Sequence, residues 1–460
     1  MQNTPSIANR WSSRLLFILV STAAAVGLGN IWKFPYIAGE NGGGAFVIVY
    51  LICIAIIGIP VMIAEVLIGR RGRHTPGYST LKLAKESGRH SAWQITGWLG
   101  MATGFLVLSF YTVIAGWALA YIFEAAQGAF TGATVAEINQ LFEQLTGSVE
   151  RLTFWHALIM LGVAIVVGKG LREGLERTVS WMLPLMVLLL IVLSIYAGYI
   201  GDFGAAVAFM FAPDFSKLTI DSVLVALGHA FFSLGLASGV VIMYGAYLSK
   251  STSIIGTSIW VAIADTVVAL LAGMAIFPIV FGSQLEPGAG PGLIFQTLPI
   301  AFSHMPGGAF VGTLFFIMLV IAAFTSAIAM IESSVAFCEE CFGLTRWRAT
   351  FLATGTLWAL GQLTIYSFGG ANWAQLGWQI EGKTFGTLFD LIDYVTGSIL
   401  LPIGGLLLAL FVGWVMKTQY TQDELNTASV RFKVWHFIVR YIAPIAIILI
   451  FLQLIGIIQF

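Results

Sequence analysis

Charge is what this sequence has least of. Only 10% of its 460 residues are Asp, Glu, Lys or Arg, and the 22 basic and 22 acidic side chains cancel to a net charge of zero. A chain with 58% hydrophobic residues and so little charge cannot surface a water-soluble globule, and its neutral balance gives nucleic acid nothing to bind. Cysteine is scarcer still. Cys53 lies in an apolar run, while Cys338 and Cys341 form a lone C-x-x-C without the second pair that zinc needs, so the three are read as structural or incidental. P-loop, HExxH and GxSxG patterns are missing as well, so neither an enzyme nor an organic cofactor is expected.

What the chain has in abundance is long apolar stretches, with a mean hydropathy of +0.91. A bilayer core of ~30 Å needs ~20 mostly apolar residues in a helix. Eleven stretches qualify, at 13–38, 44–69, 95–126, 153–169, 178–200, 221–247, 254–281, 308–339, 348–368, 386–416 and 434–458. The first follows a short polar segment and lacks a signal-peptidase site, so it is read as a retained helix. Basic residues set the orientation, because Lys and Arg concentrate in cytoplasmic loops. A cytoplasmic N-terminus puts eighteen of the 22 inside and only Arg151, Lys217 and Lys383 outside, with Lys33 left within a helix. The expected location is therefore the plasma (inner) membrane, multi-pass, with the C-terminus outside. The outer connections 128–151 and 281–307 suit surface helices or lids. The stretch 369–383, with Trp373 and Trp378, suits the outer interface.

Two spans carry residues that a lipid-facing helix avoids. The first reads Ala23-Ala24-Ala25-Val26-Gly27-Leu28-Gly29-Asn30-Ile31-Trp32-Lys33-Phe34-Pro35, and the sixth contains Phe231-Phe232-Ser233-Leu234-Gly235-Leu236-Ala237-Ser238-Gly239. Glycine eases a break in a helix, but the backbone groups that a break frees find no partner in hydrocarbon and must face an ion, a ligand or water. Interruptions five helices apart point to an inverted-repeat transporter with its site at mid-membrane. Close packing through small residues is the competing explanation for either stretch alone.

These stretches, together with Glu40-Asn41-Gly42-Gly43-Gly44-Ala45-Phe46, Tyr111 with Trp117, and Thr325-Ser326, resemble the neurotransmitter:sodium symporter family. The likeness is to its bacterial branch, which includes the leucine transporter, and runs along nearly the whole chain. The resemblance implies an all-α membrane protein of about 11 helices with the leucine-transporter-like fold. Residues 1–12 would be a cytoplasmic segment, 13–200 the first repeat, 221–416 the inverted second repeat and 434–458 a peripheral helix. Helices 1 and 6 would be unwound at mid-membrane. It also implies two Na+ sites. Site 1 would take Ala25, Asn30, Ser233, the substrate carboxylate and Asp265, where the family often has Asn. Site 2 would take Ala23, Val26, Ala322, Thr325 and Ser326. Taken alone, Thr325 and Ser326 would be read as bonding back to a preceding carbonyl.

Asp265 departs from the family pattern most informatively, since a carboxylate at membrane depth needs a compensating cation. Positions that bind chloride in other members match Tyr50, His229, Ser233 and Ala269. Ala269 offers no hydroxyl and Asp265 brings its own negative charge, so chloride is not expected. His229 is read as a neutral, hydrogen-bonded residue. Gly27, where monoamine carriers have Asp, leaves room for the substrate's own carboxylate. The expected cargo is a neutral, hydrophobic or aromatic L-amino acid carried by sodium-coupled symport. Its binding residues would be Ala24, Ala25, Leu28, Gly29, Val107, Tyr111, Phe232, Ser233, Gly235, Ser238, Ser326 and Met330.

By the same resemblance Lys33 would pair with Asp393 as an outer gate, and Trp11 with Glu340 would form the inner one. The family's Arg three residues before that Trp is Ala8 here, with Arg10 or Arg14 as substitutes. Glu65 and Glu332 would brace the sixth helix, one of them protonated because neighbouring carboxylates rarely both ionise. The partners expected are the amino-acid substrate and the bilayer, with a monomer sufficient for transport. A transport-deficient amino-acid sensor and a sodium channel are the alternatives.

Overall fold

The computed structural model describes residues 10–285, 292–380 and 383–458. Among these, eight helices are long and apolar enough to cross a bilayer: Gly44–Gly72, Ser91–Ala126, Val149–Gly168, Leu171–Ile200, Ile254–Gly282, Gly308–Phe342, Leu388–Val415 and Ser429–Leu454. The first span is a bent pair, Arg14–Ala25 and Gly29–Glu40, turning by 53° between the two. Helix Arg346–Phe368 supplies the ninth span, and the sixth is divided into Ile220–Ser233 and Val240–Ala246. Each of the eleven apolar stretches is therefore helical.

Local chemistry accounts for the ends and the breaks. The Ser13 hydroxyl accepts from Leu16 N–H and starts the first span, and Ser253 does the same for the seventh by accepting from Gly256 N–H. At Val26 the backbone swings out of the helix (ψ 108°), and the chain resumes through a wide turn, Gly29–Lys33, ahead of Pro35. In the sixth span Gly235, Ala237 and Gly239 all have positive φ, at 64°, 60° and 76°. Three left-handed residues in five cannot continue a right-handed helix.

Ends that the basic residues assign to one side meet in space. On the basic face Arg70 donates to Thr252 O at 2.5 Å and pairs with Glu424, while Arg73 donates to Ala246 O at 2.9 Å. On the opposite face Arg151 pairs with Glu124 at 2.9 Å and Gln453 bonds Asp221 at 2.8 Å. There the expected surface segments include helix Val135–Thr146, begun by a reciprocal Thr134–Glu137 capping box. The 369–383 region departs from the all-helical expectation. Strand Gln375–Ile380 pairs antiparallel with Lys383–Thr387, and Gly377, in a left-handed conformation, sits at the irregularity in register between Gln375 and Trp378.

Candidate binding site at two broken spans

The breaks in the first and sixth spans lie side by side, and two clusters of oxygen atoms adjoin them. In one, Asn30 Nδ2 donates to Asp265 Oδ1 at 2.8 Å and lies 3.1 Å from Asp265 O and 3.2 Å from Ser233 Oγ. Ser233 donates to Asp265 Oδ2 at 2.7 Å, and Tyr50 OH reaches Ser233 at 3.3 Å. The Asn30 oxygen turns back to accept from Gly27 N–H, holding the bend. Asn30 and Asp265 are completely buried. The sequence-expected members Asn30, Ser233 and Asp265 thus come together.

The second cluster joins the eighth span to the first. Ser326 Oγ lies 3.1 Å from Ala23 O, 2.9 Å from Val26 O and 3.1 Å from Ala322 O, and Thr325 Oγ1 lies 3.1 Å from Ala322 O. The expected back-bonds to Ala322 are present, yet Ser326 also reaches two carbonyls about 300 residues away. A hydroxyl has one proton. Three carbonyls around it make a site richer in acceptors than in donors, which is what a hard cation requires and a neutral ligand does not.

Between the clusters lies a cavity. Its wall includes Ala24, Ala25, Gly29, Val107, Tyr111, Phe232, Gly235, Ser238, Ser326 and Met330 from the sequence expectation, but not Leu28 or Ser233. Tyr111 OH accepts from Leu28 N–H at 3.2 Å and so ties the third span to the first break. A Cβ on Gly27 would sit 2.5 Å from Tyr111 OH and 2.7 Å from Ser326 Oγ, so this position has no space for a side chain. Gly235 faces open space, with its φ of +64° as the constraint.

The buried carboxylates have separate partners. Glu65 accepts from Ala237 N–H at 2.6 Å and so holds the sixth-span break at its one non-glycine left-handed residue. Glu332 accepts from Tyr247 OH at 2.7 Å and pairs with Arg346, which also reaches Glu339 at 3.1 Å. No hydrogen bond joins Glu65 to Glu332 among the described residues, and an arginine from beyond the eighth span pairs with Glu332. The reading of His229 is corrected. It stacks on Phe34 and lies against Tyr50, and neither ring nitrogen has a hydrogen-bond partner among the described residues.

Both expected gates are rearranged. Lys33 places its ammonium 4.3 Å from the centre of the Phe232 ring, and although Lys33 and Asp393 line one outer cavity they form no ion pair among the described residues. The wide turn Gly29–Lys33 directs the lysine inward onto the aromatic face, where a cation is attracted. Glu340 is taken by His74 and by Thr75, the residue that precedes helix Pro76–Glu86, whose N–H (2.9 Å) and hydroxyl (2.6 Å) both donate to it. Trp11 instead donates its indole N–H to Tyr244 O at 3.0 Å. Next to it Ser12 meets Glu176 through both its N–H (2.7 Å) and its hydroxyl (2.6 Å). Ala8 lies outside the described residues, and neither Arg10 nor Arg14 forms an ion pair among those described.

Glu176 and Arg346 are the site-supporting residues that sequence reasoning passed over. Both sit in basic loop-end stretches whose charge sets the topology; for Glu176 the available signal is an acid among Arg172, Arg177 and Lys169.

The model of the sodium:neurotransmitter symporter family matches residues 8–139 and 129–460. The chain belongs to that family. It is 35% identical to the sodium-dependent transporter YhdH of Bacillus subtilis over 98% of both chains, and 34% identical to a sodium-dependent transporter of Haemophilus influenzae over 96% of this chain and 97% of that one. The crystal structure of MhsT in complex with L-phenylalanine is 41% identical and superposes with a TM-score of 0.87, covering 97% of this chain and 99% of that one. This family member is accordingly a multi-pass membrane transporter of the sodium-coupled class with the leucine-transporter-like fold, and not an enzyme.

Proposed function

We propose that the protein imports a neutral L-amino acid with a hydrophobic or aromatic side chain, driven by sodium entry and without need of chloride. The observation that carries this reading is the acceptor-rich pair of clusters flanking one cavity: Asp265 with Asn30 and Ser233 on one side, Ser326 with Ala23, Val26 and Ala322 on the other. A buried carboxylate and surplus carbonyls favour cations, so both clusters are read as sodium sites, the first completed by the substrate carboxylate. Tyr111 OH then positions that carboxylate, and Gly27 leaves it room. Val107, Phe232, Met330 and the open wall at Gly235 surround the side chain. L-Phenylalanine in the 41% identical MhsT structure supports a bulky cargo. Asp265 supplies the negative charge that chloride provides elsewhere.

Alternating access follows from unequal affinities. Sodium binds best while the cavity opens to the outer side, the amino acid completes the first site, and closure over both permits opening to the basic, cytoplasmic face. Lys33 and Phe232 close the outer side, and Trp11, Ser12 and Glu176 the inner.

Uptake of each of the twenty radiolabelled amino acids into proteoliposomes, with and without an inward sodium gradient, tests the proposal. Accumulation of hydrophobic or aromatic amino acids only with the gradient is expected. Sodium flux without amino acid would mark a channel, and binding without accumulation a sensor; either overturns it.

A further inference from the structure

The central cavity does not stop at the substrate-binding wall. It continues toward the basic face between Ser21 of the first span, Val66 of the second, Tyr244 of the sixth, and Ser258 and Val261 of the seventh. Three hydroxyls belong to this extension, and Ser21 Oγ, Ser258 Oγ and Tyr244 OH have no hydrogen-bond partner among the described residues. Ser258 and Tyr244 are each only 1% exposed. A buried hydroxyl ordinarily bonds back to its own helix, as Thr257 and Thr266 do at 2.8 Å on either side of Ser258. Ser258 does not, which is unfavourable unless the hydroxyl serves something that enters the cavity.

The positions of these groups connect them to Asp265. Ser258, Val261 and Asp265 follow at i, i+3 and i+7 and so share one face of the seventh span, while Ser21 stands one turn before Ala25 on the first. The hydroxyls therefore continue the Asn30–Ser233–Asp265 cluster toward the basic face. Val66 and Val261 keep the rest of the wall apolar. Trp11 lies at the far end, its ring 5.1 Å from that of Tyr244.

We propose that this extension is the cytoplasmic exit of the cation held at Asp265, with Ser258, Ser21 and Tyr244 as successive stations for sodium. Neutral hydroxyls replace hydration oxygens without holding the ion as a carboxylate would, which suits passage rather than retention. The inference rests on reading the Asp265 cluster as a sodium site.

The test compares three L-phenylalanine measurements on the full chain: sodium-dependent binding in detergent, net sodium-driven uptake into proteoliposomes, and exchange at equal saturating sodium, in which the cation need not leave. Ser258→Leu should bind within about threefold of the parent and keep exchange, while net uptake falls about tenfold or more. Ser258→Thr, which keeps the hydroxyl, should restore net uptake to within about twofold, and Ser21→Ala with Ser258→Ala should lower it severalfold. Equal losses of uptake and exchange, or unchanged uptake in both Ser258→Leu and the double variant, would overturn the exit. Should Ser258→Leu fail to fold, the double alanine variant decides by the same ratio. A parent chain without sodium-dependent uptake fails earlier, and refutes the transport reading itself.

Discussion

Ser233 donates its hydroxyl proton to Oδ2 of Asp265 at 2.7 Å, while Asn30 from the first span holds the other carboxylate oxygen at 2.8 Å. Both broken or neighbouring spans are thus tied to a single buried carboxylate. Replacing Asp265 with Asn removes the charge while keeping the shape, and charge-assisted hydrogen bonds are worth roughly 1.5–3 kcal/mol each. Sodium-driven uptake by Asp265→Asn should fall about tenfold or more, and parent uptake should be the same in chloride and in gluconate. A severalfold loss in gluconate by the parent would show that Asp265 does not replace the anion.

Gly27 and Gly235 border the same cavity under different constraints. A Cβ at Gly27 meets Tyr111 OH at 2.5 Å and Ser326 Oγ at 2.7 Å, whereas at Gly235 it meets nothing within 4 Å and only the φ of +64° opposes it. A left-handed non-glycine residue costs roughly 1–2 kcal/mol. Equilibrium binding should therefore weaken more for Gly27→Ala than for Gly235→Ala, with Tyr111→Phe partly relieving the former. Similar dissociation constants for the two alanine variants would count against the steric account of position 27.

Glu332 is 1% exposed and paired with Arg346. Removing one member of a buried pair leaves the other charge uncompensated, at a cost of roughly 3–5 kcal/mol, whereas removing both is far milder. Glu332→Gln should lower the thermal midpoint in detergent by several degrees, and Glu332→Gln with Arg346→Met should recover part of that loss. Additive losses in the double variant would show that the two side chains are not coupled.

Glu176 receives Ser12 through both carboxylate oxygens, on the face where the proposed cycle has the N-terminal segment detach for inward opening. Glu176→Gln substitutes a donor for one acceptor and weakens that latch by roughly 1 kcal/mol or more. If sodium prefers the outward-facing state, a larger inward-facing population must raise the sodium concentration for half-maximal uptake, here about fivefold. An unchanged sodium dependence would remove the latch from the transport cycle.

Much of this architecture can be read from the amino acids alone, because a bilayer imposes its conditions locally. Each span must satisfy its own backbone, so apolar length marks the eleven helices, and Gly27, Gly29, Gly235 and Gly239 mark where two of them give way. A buried acid in an apolar run, such as Asp265 or Glu65, is equally visible because nothing nearby in sequence can neutralise it. Which partner each charge takes is another matter. Lys33 turns to Phe232 rather than Asp393, Glu340 takes Thr75 and His74, and Ser12 rather than an arginine meets an acid, Glu176. Those choices depend on where segments far apart in the sequence come into contact, which packing sets and no local pattern of residues encodes.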